Sequence, residues 1–397
     1  MEIVKAFKYR LKTGHQDDII LSRFAGCSRF VWNHALSFQK DLLDNGNRCL
    51  SYESLTSQLP IWKKDFPFLK DVHSQTLQQR LKDLCRAIDA AFDPKDARKF
   101  PKFKKKHKSV ASFRYPQGFM INGNCVYLPK IGWYRFHKSR EIIGTPKNCT
   151  VSKRGKHWYI SVQTEMSITN PIHPGVSFAG ADMGVINTLA LSDGMTYKPA
   201  DSFKKASFKL AAMQRKLSRM VKRSNNWKKQ KSKINRLHIR IKDMRQDHLH
   251  KISSEVSKNH AVLVLEDLNV KNMSASAKGT IANPGKNVKR KSALNRSILD
   301  QGWYELRRQF EYKMDWLGGT VVFVPPSGTS QTCSCCGHIS PENRPSQALF
   351  YCVKCGHTES ADVNAAKVIL GAGQALLACG SNGASMPSEA GTVQKLR

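Results

Sequence analysis

Acidic residues are scarce in this chain. Its 397 residues hold 30 Asp+Glu against 65 Lys+Arg, a formal net charge of +35. A surplus that large points to a polyanionic partner, because each phosphate neutralised by a cation releases a condensed counterion. Long apolar runs are also lacking. None approaches the ~20 residues a spanning helix needs, which removes the membrane as a medium to be crossed. The first stretch, "MEIVKAFKYRLKTGHQDD", has no apolar core, so no secretory signal is expected. No repeat of fixed period is present. Apolar material itself is not short: 40% of the residues are hydrophobic, and the length suits two or three domains. Eleven cysteines would suit an oxidised secreted scaffold, but four of them pair as CxxC in a long basic chain. Metal-bound thiolates in a reducing cytoplasm fit better.

Along the chain, "IVKAFKYRLK" alternates and reads as a strand. From about Gln16 to Phe92 the pattern is helical; Leu77, Leu81, Leu84 and Ile88 form an apolar stripe. A basic stretch interleaved with aromatics, "RKFPKFKKKHKSVASFRYP", leads into short alternating runs that read as a β-rich segment to about Ile172. "GVSFAGADMGVINTLALSDG" reads as two buried strands joined by a turn. Residues 203–251 carry seventeen Lys+Arg and two Asp, net +15. Leu210, Met213, Leu217 and Met220 make one stripe there, and Ile234, Leu237, Ile241 and Met244 another, as in a helical hairpin with a cationic outer face. "AVLVLEDLNV" is a buried strand ending in acid. The small, polar and basic stretch 272–293 reads as a mobile loop, "NRSILDQGWYELRRQFEYKMDWLG" as one amphipathic helix, and "TVVFVPP" as a short strand.

Cys333, Cys336, Cys352 and Cys355 make CxxC, fifteen intervening residues, CxxC. Four thiolates at that spacing suit one tetrahedral, closed, structural zinc. Each pair ends Cys-Gly-His, where glycine lets the turn adopt positive φ. Cys335 is a spare thiol at poor spacing. Cys27, Cys49, Cys85, Cys125, Cys149 and Cys379 are scattered and read as ordinary core or surface thiols.

Three acids stand out. Asp182 and Glu266 lie in or at the end of apolar strand runs, where a carboxylate is costly unless paired or holding metal. Asp362 opens a helix followed by Asn364, Ala365 and Ala366, small enough for close packing on a sheet. Three such acids can converge on hard divalent ions, and two ions ~3.5–4 Å apart can act on a phosphodiester. Each acid also has a plain reading. Asp182 can be a strand end, Asp362 a helix cap, and Glu266 a surface acid with Asp267 as the working one.

"GADMGVINTLALSDG", "LVLEDL", "NRSILDQGWYELRRQFEYK", "GTSQTCSCCGH" and "ESADVNAA", with "FVWNHAL", "HSQTLQQRLKDL" and "FPKFKKK" before them, resemble the TnpB family, transposon-encoded relatives of type V CRISPR effectors. The resemblance spans nearly the whole chain. It implies a multidomain α+β protein with an RNase H-like (RuvC) α/β nuclease domain interrupted by a zinc ribbon. It also implies an N-terminal β-barrel-like wedge module and a helical recognition bundle. On that template residues 1–14 and 98–174 make the wedge, 15–97 the recognition domain, and 175–327 the nuclease core. The ribbon covers 328–358, the last core helix 359–377, and a flexible tail 378–397.

The resemblance further implies Asp182, Glu266 and Asp362 as ligands of two Mg²⁺ ions, a guide RNA transcribed from the transposon end, and a target double-stranded DNA recognised beside a short motif. Tyr52 and Gln78 match motif-reading positions, while Ser74 stands where a relative carries Lys. Ser360 and Ala361 depart from the family's usual residues ahead of the third acid. Lys102, Lys104, Lys105, Arg215, Arg219, Lys222, Arg223 and Arg240 suit phosphate contacts to an A-form guide–target duplex. Phe100, Phe103, Phe113 and Tyr115 can stack bases or pack the β module. A monomer with RNA in a bacterial cytoplasm, on the nucleoid when bound to DNA, is the expected form. A non-cleaving guided regulator and a cut-and-join transposase are the alternatives.

Overall fold

The structure, a computed structural model, describes residues 2–379 apart from Ala97, His107 and 168–170. The tail expected from 378 lies outside them from 380 onward. The chain divides into two compact units, Met1–Thr169 and Asn170–Arg397. The division falls five residues ahead of the 174/175 boundary expected from the sequence. The cause is local packing: His173 Nε2 lies 2.8 Å from the Ser257 carbonyl, and a side chain at Gly318 would strike the Pro171 carbonyl, so 171–174 belong to the second unit.

In the first unit a seven-stranded sheet is built from β1 (Glu2–Leu11), β2 (Ser112–Tyr115), β3 (Met120–Asn122), β4 (Cys125–Leu128), β5 (Gly132–His137), β6 (Thr145–Arg154) and β7 (His157–Ser167), in the order β2-β6-β7-β1-β5-β4-β3. Alternation along β1 sends Phe7, Tyr9 and Leu11 into the core. Helices α1 (His15–Asp44), α2 (Tyr52–Ser57), α3 (Leu59–Asp65) and α4 (Ser74–Phe92) lie between β1 and β2 in the chain. The stripe Leu77, Leu81, Leu84 and Ile88 is wholly inside, in one core with Leu21, Phe24 and Val31 of α1.

The second unit is centred on a five-stranded sheet of β8 (Phe178–Asp182), β9 (Leu189–Leu191), β10 (Thr196–Tyr197), β11 (Val262–Glu266) and β12 (Thr320–Val324), ordered β10-β9-β8-β11-β12. β8, β11 and β12 are parallel; β9 and β10 run antiparallel. β10 is a two-residue strand that the sequence pattern did not resolve. The basic hairpin is α5 (Ser202–Ser218) and α6 (Asn225–Asn259), with Ser224 capping α6 by accepting from Trp227 N–H. α6 runs eight residues past the expected end at 251, because Ile252 and Val256 continue the buried face.

After the short α7 (Val270–Met273), the single amphipathic helix expected next is two helices, α8 (Val288–Gln301) and α9 (Trp303–Leu317). They break at Gly302, whose φ of 75° is open to glycine. α8 also claims 288–293 from the expected loop. β13 (Leu349–Tyr351), β14 (Thr358–Ser360) and α10 (Ala361–Ala378) are the last strands and helix among the described residues.

The central strands are covered on both faces, which is why they read as unbroken apolar runs. Leu263 and Leu265 pack with α6 and α9 residues on one side; Val264 packs with Ile369 of α10 on the other. α10 lies so close to β8 that a Cβ on Gly180 would sit 2.0 Å from the Ala366 carbonyl oxygen. Gly180→Val is therefore expected to destabilise this unit by about 3 kcal/mol or more, lowering its melting midpoint by roughly 6–12 °C in calorimetry. An unchanged midpoint would disprove the close contact.

Candidate active site and zinc ribbon

Strand register places the first two acids side by side. Leu265 of β11 pairs with Ala181 of β8, so Glu266 and Asp182, the last residues of their strands, are neighbours. The period of two gives both the same face. Asp182 follows Gly180 and Glu266 follows Val264, the two positions that lie under α10. Asp362 is in the first turn of α10. The carboxylates thus meet at the carboxyl ends of parallel strands, where open α/β sheets place their ligands.

The electrostatics record this meeting. Burial pushes the Asp182 carboxyl up to about 7, and the negative charges of Glu266 and Asp362 push the same way; Arg344, from the cysteine module, pulls it down. Glu266 is raised by burial, with partial relief from the Thr329 hydroxyl, which donates to its Oε1. Asn187 Nδ2 donates to Asp362 Oδ2 at 2.7 Å, and Lys198 Nζ donates to Asn187 Oδ1 at 3.0 Å. Asp267 is elsewhere: its side chain is 63% exposed and paired with Arg307 on α9. Among the described residues, the four cysteines form the group of His, Cys, Asp or Glu whose ligand atoms all lie within 4.8 Å of one another.

The cysteine module is two copies of one turn. Cys333 N–H donates to the His338 carbonyl at 2.9 Å and Gly337 N–H to the Cys333 carbonyl at 3.0 Å; Cys352, His357 and Gly356 repeat this at 2.8 and 2.9 Å. Gly337 and Gly356 share a φ of 73°. The sulfurs of Cys333 and Cys355 are 3.7 Å apart and those of Cys336 and Cys352 3.6 Å. A tetrahedron with Zn–S of ~2.3 Å has edges of about 3.8 Å, so the four thiols fit zinc. Cys335 is exposed and outside the cluster.

Buried Asn343 ties the knuckles together, donating to the Gln331 and His338 carbonyls and accepting from Val353 N–H. Asn364 of α10 then clamps the module to the last core helix. Its Oδ1 accepts from Ser334 N–H at 3.0 Å and its Nδ2 donates to the Thr332 carbonyl at 2.8 Å. Asn364 is two residues from Asp362, so the ribbon and the third acid are positioned by one helical turn.

The expected nucleic-acid residues divide. Arg215, Arg219, Lys222, Arg223 and Arg240 are exposed on or beside the α5–α6 hairpin, and Lys102 and Lys105 are exposed in the first unit. Lys104 differs: its ammonium lies 3.2 Å from the centre of the Trp32 ring, and burial lowers its pKa to about 8. Gln78 is half-buried on α4, and Tyr52 is half-buried at the start of α2 with Lys82 over its ring. Of the four aromatics, Phe113 and Tyr115 are buried core, Phe100 packs against that core, and Phe103 is 45% exposed beneath Lys40. Asn187, Lys198, Thr329 and Arg344 were not singled out from sequence. No periodicity or motif marks such residues.

Comparison with known proteins places this arrangement. The solved structure described as the Cas12f1-sgRNA-target DNA complex contains a chain of the same fold, with a TM-score of 0.55 at 16% identity over 90% of this chain and 83% of that one. Family profiles match residues 159–277 ("Probable transposase"), 303–369 ("Cas12f1-like, TNB domain") and 1–48 ("Helix-turn-helix domain"). The last of these covers a strand and one long helix here, not two helices. The Escherichia coli K12 protein named "Putative RNA-guided DNA endonuclease InsQ" is 51% identical over 384 residues, 96% of this chain and 95% of that protein. A Streptomyces pristinaespiralis "Putative RNA-guided DNA endonuclease" is 33% identical over 96% of this chain and 92% of its own. The protein is of the compact RNA-guided nuclease class. It belongs to the TnpB family of insertion-sequence proteins.

Proposed function

We propose that Asp182, Glu266 and Asp362 form the cleavage centre of an RNA-guided DNA endonuclease. Its core would be RNase H-like (RuvC-type), interrupted by a structural zinc ribbon between β12 and α10. The sheet order β10-β9-β8-β11-β12, with β8, β11 and β12 parallel and β9 antiparallel to both its neighbours, supports the core assignment. The observation that carries the reading is the meeting of three carboxylates from the ends of β8 and β11 and the first turn of α10, where burial and then the charges of Glu266 and Asp362 raise Asp182. Such a cluster is unfavourable without a cation and suits Mg²⁺, a hard ion that takes carboxylate oxygens. Two bound ions supply the charge that activates water and stabilises the leaving oxygen of a phosphodiester.

The chain's own part is to hold those oxygens rigidly. Thr329 fixes Glu266, Asn187 fixes Asp362, and the ends of β8 and β11 fix the spacing. The α5–α6 face carries Arg215, Arg219, Lys222, Arg223 and Arg240 toward backbone phosphates of a guide–target duplex, read by shape. Tyr52 and Gln78 are the candidates for reading a duplex motif beside the target. The no-membrane expectation stands beside one fact: no described helix is long and apolar enough to cross a bilayer.

The test is to purify the protein with its bound RNA, sequence that RNA, and assay the complex on a duplex library with a randomised flanking motif, with and without Mg²⁺. A discrete RNA from the element end and Mg²⁺-dependent double-strand cuts beside one motif are expected. Guided binding without cuts would leave a regulator, and guide-free strand joining a transposase.

A further inference from the structure

Asn187 stands between an exposed lysine and a candidate metal ligand, in a loop built to hold it still. It is 8% exposed, in the β8–β9 turn five residues beyond Asp182. The turn is tight: a Cβ on Gly184 would lie 2.9 Å from the Asn187 carbonyl oxygen. The next residue is anchored twice, Thr188 N–H donating to the Tyr197 carbonyl at 2.8 Å and its hydroxyl to Gln301 Oε1 at 2.7 Å. An asparagine amide can face either way. Here the Lys198 ammonium, which only donates, can be met only by the Oδ1 end, so the Nδ2 end must face Asp362. Asp362 Oδ2 is then occupied by an N–H, and its other oxygen is left for a cation.

We propose that Asn187 is a positioning residue for Asp362, and that Lys198 sets the direction of its amide. The Lys198–Asn187–Asp362 chain holds the third carboxylate in a fixed orientation, with one oxygen engaged by the amide. This rests on the cleavage-centre reading above. Partners of this kind are worth 10–100-fold in metal affinity or activity when removed.

The experiment titrates Mn²⁺ into the zinc-loaded protein–RNA complex by electron paramagnetic resonance, and measures cleavage of a matched target against Mg²⁺ concentration. Asn187→Ala is expected to weaken Mn²⁺ binding, and to raise the Mg²⁺ needed for half-maximal rate, by about 10-fold or more, with target-DNA affinity unchanged. Lys198→Met, at an exposed position that will not compromise folding, shifts both in the same direction by about 3-fold or more, and Lys198→Arg restores them. Wild-type values in the Lys198→Met protein, or in a folded Asn187→Ala protein, overturn the proposal. If the unaltered complex neither binds Mn²⁺ nor cuts with Mg²⁺, the cleavage-centre reading falls and takes this one with it.

Discussion

Asp182→Ala is expected to abolish target cleavage, by on the order of 10³-fold or more, while guide-RNA binding stays within about twofold of the unaltered protein. The size follows from what the residue does. Asp182 is the carboxylate on which the charges of both Glu266 and Asp362 act, so on the proposed reading its removal would take away a ligand shared by the centre. It touches none of the exposed hairpin cations that would meet the guide. Retained cutting would refute the role given to Asp182. Asp267→Asn is the matching control, since its exposed side chain pairs with Arg307; cutting should persist.

Asp182→Asn adds a second readout. Held at about 7, the Asp182 carboxyl titrates well above the ordinary aspartate range, so the folded protein binds the extra proton and is favoured at low pH. The penalty is absent below pH ~4, grows between about 4 and 7, and is constant above, reaching on the order of 4 kcal/mol. In Mg²⁺-free, zinc-loaded protein, the asparagine variant should melt higher than the unaltered chain at pH 8, with the gap closing toward pH 4. A variant equally or less stable at pH 8 would mean that the ionised Asp182 carboxylate carries no such penalty from burial and its acidic neighbours.

Loss of the zinc should be as damaging and more local. The ribbon's own core is Cys333, Phe350, Cys352 and Ala361, far too little apolar surface to fold without metal. Structural zinc contributes ~10–16 kcal/mol of apparent binding energy, which in such a module is folding energy. Cys352→Ser is expected to lower bound zinc from one per chain to none by elemental analysis, to open 328–360 to protease, and to cut target cleavage at least about 100-fold. The coupling runs through Asn364, which joins the ribbon backbone to the helical turn carrying Asp362. A chelator removes both kinds of metal. Adding back Mg²⁺ alone should therefore fail to restore cutting, whereas zinc followed by Mg²⁺ should restore it. A zinc-free variant that cuts normally would sever the ribbon from the site.

Several features were legible because they rest on local chemistry. The CxxC spacing, the alternation of β1, and the stripe of α4 are patterns of period two or 3.6, or fixed ligand geometries. A residue's neighbours in sequence are enough to reveal them. Asp182 and Glu266 stood out as candidates for a related reason, since carboxylates ending apolar runs are conspicuous, and Asp362 because it opens a helix of small residues. The break at Gly302 was missed because an amphipathic pattern continues across it. In the fold Gly302 takes a left-handed φ of 75° where a Cβ would press on Leu249 and Arg245, neighbours that the sequence pattern does not reveal.

By itself, then, the amino-acid order determined the cationic character, the four-cysteine cluster, the main strands and helices, and which acids were candidates. Tertiary structure alone decided that Glu266 and not Asp267 faces Asp182, because that choice depends on which side of β11 is covered by α10. It also decided that Lys104 turns onto Trp32, 72 residues away, and that Asn187, itself held by Lys198, reaches Asp362 from 175 residues away. Such contacts join residues too distant along the chain for any local pattern to record, and only the packed sheet and helix bring them within hydrogen-bonding range.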